Sequence, residues 1–404
     1  VAGAVGVRTA YPSGVTQFPV YLDHAATTPM RPEAYAAVTE HLLEVGNASS
    51  LHAPGRRARR VVEESREAVA AVLGVRAGDV VFTSGGTEAD NLAVLGLYRS
   101  RRVEEPRRTR VLATAIEHKA VLDPVEWLGQ HEGADIRWLP VDGCGRLDLD
   151  ALKAELAEAP ETVALVTVMW ANNEVGTIQP VAEVAALCAE YDVPLHTDAV
   201  QAVGTLPVDA STVDSLALSG HKVGGPVGVG ALVLRRGLSP QPIVFGGGQE
   251  RDLRSGTLDV AGIAGLAAAL LASMGDLEVR AHHLARLRDR LVDEVVAAVD
   301  GVTRNGDPDA CLPGIAHLSF AGCEGDALLL LLDAAGIAVS RGSACSAGVP
   351  QPSHVLLAMG VEPVAARGSL RISLGHTSSA DDVDRLVEAL PAAVARARRA
   401  GTGR

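Results

Sequence analysis

The sequence predicts an α/β protein: a large domain with a mostly parallel sheet flanked by helices, plus a smaller α+β domain. Three observations predict it. Short apolar runs alternate with helical stretches from about residue 20 onward. Near residues 257–300 the texture changes to long helices rich in Ala, Leu and Arg. Polar residues follow several of the strand runs directly, where open α/β sheets gather ligands at the carboxyl ends of their strands.

The elements follow in order. Residues 80–84 form a β-branched and aromatic run, then a polar turn and a helical stretch at 88–98. The pattern repeats with a strand at 111–115 and a helix at 121–128, and again with 162–169 and 181–191. Short strands are expected at 193–197, 215–219 and 229–234. After the long helices come a strand at 315–320, a helix at 326–335, a strand at 370–373 and a last helix at 380–399. This divides the 404 residues into an arm (1–19), a large domain (20–275) and a small domain (276–404). The first ten or so residues of the large domain are expected to pack with the small one. The boundary is expected inside a helix.

Composition excludes several classes. The net charge of −13 argues against a general nucleic-acid binder, which needs basic surface to release counterions. The basic clusters at 56–60 and 107–110 read as solvated helix faces or loops. No run of about 18 apolar residues marks a membrane span. Five cysteines, at 144, 188, 311, 323 and 345, are odd in number and widely spaced, unlike a zinc cluster or a disulfide framework. Residues 1–19 lack the pattern of a signal peptide. A reducing cytoplasm is the expected location.

Lysine chemistry has only three candidates, Lys119, Lys153 and Lys222. Lys153 lies in an amphipathic helical pattern, and Lys119 follows His118. Lys222 stands in Ser219-Gly220-His221-Lys222, after a strand, and is best placed for a Schiff base with an aldehyde cofactor. The turn Ser84-Gly85-Gly86-Thr87 joins a strand to a helix and could cradle an anion, or be purely structural. Asp198 ends a strand, either to pair with a protonated ring nitrogen or to cap a helix. His118 opens a helix after a strand. Cys345 sits in a run of small residues, 342–348, as a candidate nucleophile. Arg371, on an alternating strand with Ser369 and Ser373, calls for a carboxylate, from a substrate or from within the protein.

Seven ordered motifs then carry a resemblance. They are residues 82–91, 117–122 and 169–176 (the last containing Asn172-Asn173-Glu174), 198–201, 219–222, 246–257, and Gly342-Ser343-Ala344-Cys345-Ser346. Together with Tyr21-Leu22-Asp23-His24, they resemble the NifS/IscS-like cysteine desulfurases, fold-type I enzymes of the class-V aminotransferase superfamily. The resemblance spans nearly the whole chain.

It implies pyridoxal 5′-phosphate as cofactor and L-cysteine as substrate, with alanine as product and a persulfide on Cys345. Lys222 would carry the cofactor, Asp198 would hold its ring nitrogen protonated, Gln201 would reach its phenolate oxygen and His118 would stack on the ring. Gly86, Thr87, Ser219, Gly220 and His221 match the cofactor's cradle. Thr257 matches a phosphate contact donated by the second subunit of a homodimer. Asn173 and Arg371 match the grip on the substrate carboxylate, with Asn173 also beside the cofactor. The small-residue context of Cys345 resembles the branch that supplies iron–sulfur cluster assembly and tRNA thiolation, so an acceptor protein from one of those systems is expected. No metal site is implied beyond a transient iron–sulfur contact at Cys345. No membrane or direct nucleic-acid partner is expected. The alternatives are a selenocysteine lyase or other class-V enzyme, and a non-catalytic cofactor-binding scaffold for sulfur relay.

Overall fold

The computed structural model describes residues 20–342 and 352–401. The arm 1–19 and Cys345 lie outside the described residues. The chain opens with β1 (Val20–Tyr21), α1 (Pro32–Leu42) and α2 (Ala53–Leu73). Then come β2 (Val80–Thr83), α3 (Gly86–Glu104), β3 (Arg110–Thr114), α4 (Lys119–His131), β4 (Asp135–Leu139) and α5 (Leu149–Glu158). β5 (Val163–Thr167), α6 (Val181–Glu190), β6 (Leu195–Asp198), β7 (Ser215–Ser219) and β8 (Gly230–Leu234) complete a seven-stranded sheet of order β2-β8-β7-β6-β5-β3-β4. Within that sheet β8 runs antiparallel to both neighbours, and the other pairings are parallel.

Both faces of this sheet are covered, which explains its unbroken apolar runs. Alternate side chains of β2, β7 and β8 go to opposite cores. Val80, Phe82, Leu216, Leu218, Ala231 and Val233 pack with α2, α5, α6 and α7 (Val260–Gly275). Val81, Ala217, Leu232 and Leu234 pack with α3 and α4.

The remaining elements form a separate core. They are α8 (Leu277–Ala298), β9 (Val302–Asn305), β10 (Ile315–Phe320), α9 (Gly325–Asp333), β11 (Ile337–Ala338), α10 (His354–Ala358), α11 (Pro363–Arg367), β12 (Ser369–Ser373) and α12 (Ala380–Gly401). β10 is central in the antiparallel order β12-β10-β9. α7 belongs to the first core and α8 to this one, with a 72° bend between them at Asp276. Asp276 pairs with both Arg280 and Arg31.

β1 joins the second core, not the first. It pairs in parallel with β11, and Val20 and Leu22 are fully buried among α8, α9 and α12. The chain then runs beside β12, where Ser373 N donates to Leu22 O and His24 N to Ser373 O.

Several features were not read from the sequence or differ from it. α1, α2 and β4 had no assigned place, although the basic cluster at 56–60 is the exposed face of α2, and α5 was read only as the amphipathic segment around Lys153. Within the second basic cluster, Arg110 is a buried β3 residue and not a solvated one. Its guanidinium pairs with Glu155 and Glu158 of α5.

Candidate active site

The site begins with the loops that leave the carboxyl ends of β2, β3, β5, β6 and β7. At the end of β2, Gly85 takes φ +153° and ψ −178°, a conformation essentially confined to glycine. Glu88 fixes the turn from inside the helix by accepting from Ser84 N at 2.7 Å and from Arg254 Nε at 2.8 Å. A Cβ on Gly86 would stand 2.6 Å from Val200 Cγ2, so glycine is needed there to bring α3 close to the end of β6. The result is a helix N-terminus whose free N–H groups face the cavity.

After β3, His118 is the N-cap of α4, its Nδ1 accepting from Ala120 N at 3.1 Å. Accepting there makes Nδ1 the unprotonated nitrogen, and burial lowers the ring's pKa. After β5, Asn172 is fully buried. Its Oδ1 accepts from Glu174 N and Val175 N, which turns the chain so that Asn173 faces the cavity.

Asp198 ends β6 and is buried; one oxygen accepts from Val200 N at 2.9 Å. Burial raises its pKa, opposed by His118, the Val200 N–H and Lys222. Lys222 Nζ donates to Ala25 O at 2.5 Å, and Gln201 Nε2 donates to the same carbonyl at 2.9 Å. Burial, aided by Arg371, pulls the Lys222 pKa down to about 8. His221 is held down to about 4 by burial and by Lys222, and its Nδ1 lies 3.2 Å from Thr27 Oγ1.

These elements enclose one cavity of about 380 Å³. Its walls include Gly86, Thr87, His118, Asn173, Asp198, Gln201, Ser219, His221, Lys222 and Arg371. Gly342, three residues before Cys345, also lines it.

Two sequence candidates stand elsewhere. Gly220 is turned away: its N donates to Val229 O, and a Cβ on it would stand 2.8 Å from Pro226 O. Thr257 is exposed and does not line this cavity. Of the other lysines, Lys153 is exposed on α5, and Lys119 pairs with Asp123 on the outside of α4.

Arg371 has an internal partner. Its Nη2 donates to Asp23 Oδ1 and its Nη1 to Asn173 O, both at 2.8 Å. Its buried Nε has no hydrogen-bond partner among the described residues. The side chain is thus braced from two sides, and each terminal nitrogen keeps a second N–H beyond the bond it makes.

Three participants were missed in the sequence. Asp23 and Ala25 belong to the first described segment, which β12 braces from one side and the Lys222 loop from the other. Asp90 lines the cavity from α3, buried, with Oδ1 3.1 Å from His196 Nε2. An aspartate in the core-facing stripe of α3 was the available signal. Burial and the nearby Asp198 and Glu117 raise the Asp90 pKa well above the ordinary carboxylate range, and burial pushes Glu117 up to about 8.

The donor set suits a ligand with an anionic group, an aldehyde and a basic ring nitrogen. The start of α3, Ser219 and His221 would receive the anion, Lys222 the aldehyde and Asp198 the ring nitrogen.

The class-V aminotransferase family model matches residues 20–386. An IscS-like cysteine desulfurase of Mycobacterium tuberculosis is 57% identical over 383 residues, covering 94% of this chain and 97% of the relative. A cysteine desulfurase of Cereibacter sphaeroides is 46% identical, covering 92% and 95%. Among solved structures, a NifS-like protein superposes with a TM-score of 0.86 at 35% identity, covering 94% of this chain and all of that one. DndA from Streptomyces lividans gives 0.74 at 39% identity, covering 87% and 99%. With the fold, the strand-end cavity and these likenesses in agreement, the chain belongs to the class-V aminotransferase family and, within it, to the cysteine desulfurases.

Proposed function

We propose that this enzyme uses pyridoxal 5′-phosphate to take sulfur from L-cysteine, giving L-alanine and a persulfide on Cys345. The observation that carries this reading is the convergence of Lys222, Asp198 and His118 on one cavity whose wall includes Gly342. When bound, the cofactor supplies an aldehyde carbon and a ring that accepts an electron pair from the substrate α-carbon.

The chain's own residues would do the rest. Gly86, Thr87, Ser219 and His221 hold the phosphate. Asp198 would hold the ring nitrogen in its protonated form, His118 would stack against the ring and Gln201 would contact its oxygen. Arg371 and Asn173 orient the substrate carboxylate. Lys222, its pKa lowered to about 8, exists partly as the free amine near neutral pH and moves the α-proton.

The Cys345 thiolate attacks the substrate sulfur. The carbon–sulfur bond breaks and a sulfur–sulfur bond forms, so L-cysteine plus one protein thiol become L-alanine plus one persulfide. The sulfur then passes to an acceptor protein, an iron–sulfur scaffold or a tRNA-thiolation enzyme. We place this chemistry in the reducing cytoplasm, supported by the free thiols of Cys144, Cys188, Cys311 and Cys323.

A homodimer with Thr257 donated across the interface is part of the same reading. It is supported by the exposed apolar side chains Leu43, Val45, Leu51 and Phe245, the last next to Val244, whose carbonyl accepts from Ser255 N.

The test is peptide mass spectrometry of the cofactor-loaded protein after brief exposure to L-cysteine. A reducible added sulfur on Cys345, matched by alanine, is expected. Alanine without it moves the nucleophile elsewhere, and the absence of both products overturns the assignment.

A further inference from the structure

The carboxylate of Glu174 is buried, only 2% exposed, and no step above uses it. It lies where both flanks of segment 343–351 meet the β5 end of the site. On the upstream side, Gly342 takes φ +85°, and a Cβ there would stand 3.3 Å from Glu174 Cγ and 3.5 Å from Arg371 Cβ. Gly342 therefore packs on the aliphatic part of Glu174. On the downstream side, Ser353 Oγ donates to Glu174 Oε2 at 2.5 Å. Ser353 is itself the N-cap of α10, accepting from Leu356 N. The next residue, His354, brings its Nδ1 to 4.0 Å from Glu174 Oε1, and its Nε2 lies 3.0 Å from the carbonyl oxygen of Glu117.

The neighbours in sequence give these contacts meaning. Glu174 follows Asn173, whose carbonyl accepts from Arg371, and Glu117 precedes His118. The two flanks of the cysteine-bearing segment are thus tied to the residues beside Asn173 and His118. A carboxylate buried to this degree is costly unless partnered. Surface chemistry or simple packing would not call for one at this place.

We infer that Glu174 is a positioning residue for sulfur transfer: it clasps Gly342 and Ser353 so that the segment bearing Cys345 is anchored at both ends to the substrate-binding loop. The inference rests on the reading of Cys345 as nucleophile. It separates two parts of the reaction. Amino-acid binding needs Asn173, Arg371 and Lys222, whereas the approach of the thiol needs the clasp.

The test compares wild type with Glu174→Ala, Glu174→Gln and Ser353→Ala, all loaded with pyridoxal phosphate. Three readouts are taken. One is elastase cleavage within 343–351, which is rich in small residues. The second is the absorbance change on adding L-alanine, an amino acid with no sulfur to give. The third is the rate of persulfide formation on Cys345.

In Glu174→Ala we expect cleavage at least ~10-fold faster and persulfide formation at least ~10-fold slower, with the L-alanine response unchanged. Glu174→Gln keeps an acceptor for Ser353 Oγ and should restore most of both. Ser353→Ala should shift both readouts the same way, which covers a Glu174→Ala protein that fails to fold. Wild-type cleavage and wild-type persulfide rates in Ser353→Ala and in a folded Glu174→Ala would overturn the inference. An equal loss of L-alanine response and persulfide formation would overturn it too, since Glu174 would then serve substrate binding. If wild type itself forms no persulfide while the cleavage difference persists, the clasp stands and the desulfurase reading falls.

Discussion

Lys222 Nζ and the carbonyl oxygen of Ala25 lie 2.5 Å apart, although 197 positions separate them in the sequence. The amine is therefore aimed by the backbone of the N-terminal segment, and burial lowers its pKa to about 8. Reaction of the cofactor-free protein with pyridoxal phosphate should rise with pH to a plateau with a midpoint near 8, about two units below an ordinary lysine. Borohydride trapping followed by peptide mapping should find the label on Lys222 and not on Lys119 or Lys153. Lys222→Ala should lose the label and at least ~10²-fold in turnover.

Arg371 gives a second prediction. Its Nη1 and Nη2 are occupied by Asn173 O and Asp23. Lysine cannot reproduce two fixed internal bonds and still present the second N–H of each terminal nitrogen to a substrate. Arg371→Lys should raise KM for L-cysteine by about 10- to 100-fold, the range of one charged hydrogen bond. Steady-state kinetics with thermal melting as a folding control would check it.

Glu117 gives a third. Its carboxyl is fully buried, and Oε1 accepts from Thr114 Oγ1 and Met169 N. Oε2 has no hydrogen-bond partner among the described residues. Because burial raises the folded pKa to about 8 from 4.5, the folded state holds a proton that the unfolded state has lost between those values. Its contribution is fully present below pH 4.5 and is lost as pH rises toward 8. Glu117→Gln should therefore gain stability relative to wild type as pH increases through this window. Urea unfolding at pH 5, 6, 7 and 8 would check the trend.

The buried pair Arg66–Glu250 gives a fourth. Arg66 donates to both Glu250 oxygens at 2.6 and 2.8 Å, and Phe82 N donates to one of them at 2.7 Å. Glu250, Arg251 and Asp252 all take positive φ, a strained run that this pairing holds in place. Glu250→Ala leaves the buried Arg66 guanidinium with only Glu63 and the Val80 carbonyl as partners and should cost ~1.5–3 kcal/mol in unfolding free energy. Calorimetry or denaturant titration would measure it.

Much of the site was legible because strand ends concentrate chemistry. Asp198, Ser219 and Lys222 could be placed from the runs that precede them. The mostly parallel sheet was legible because its strands are apolar on both faces. β4 was not, because it is an edge strand carrying Asp135 and Arg137, and charged edges read as loops. Asp90 was not, because one aspartate in a helix gives no sign of the buried histidine it faces. Ala25 acts through its carbonyl, which carries no side-chain signature at all. Asp23 meets Arg371 across 348 positions, a pairing set by the second core and not by any local pattern.

The parallel pairing of Val20 with Ile337, and of Asp23 with Ser373 beyond it, sets the order of events during synthesis. The segment that aims Lys222 leaves the ribosome more than three hundred residues ahead of its β11 and β12 partners. The large sheet can assemble early, but the Ala25 N–H has no acceptor until Ser373 of β12 is made. Such long-range closure is slow. A nascent chain stalled before residue 373 should therefore carry Lys222 and Ala25 without the β12 contacts that brace the segment between them and the second core.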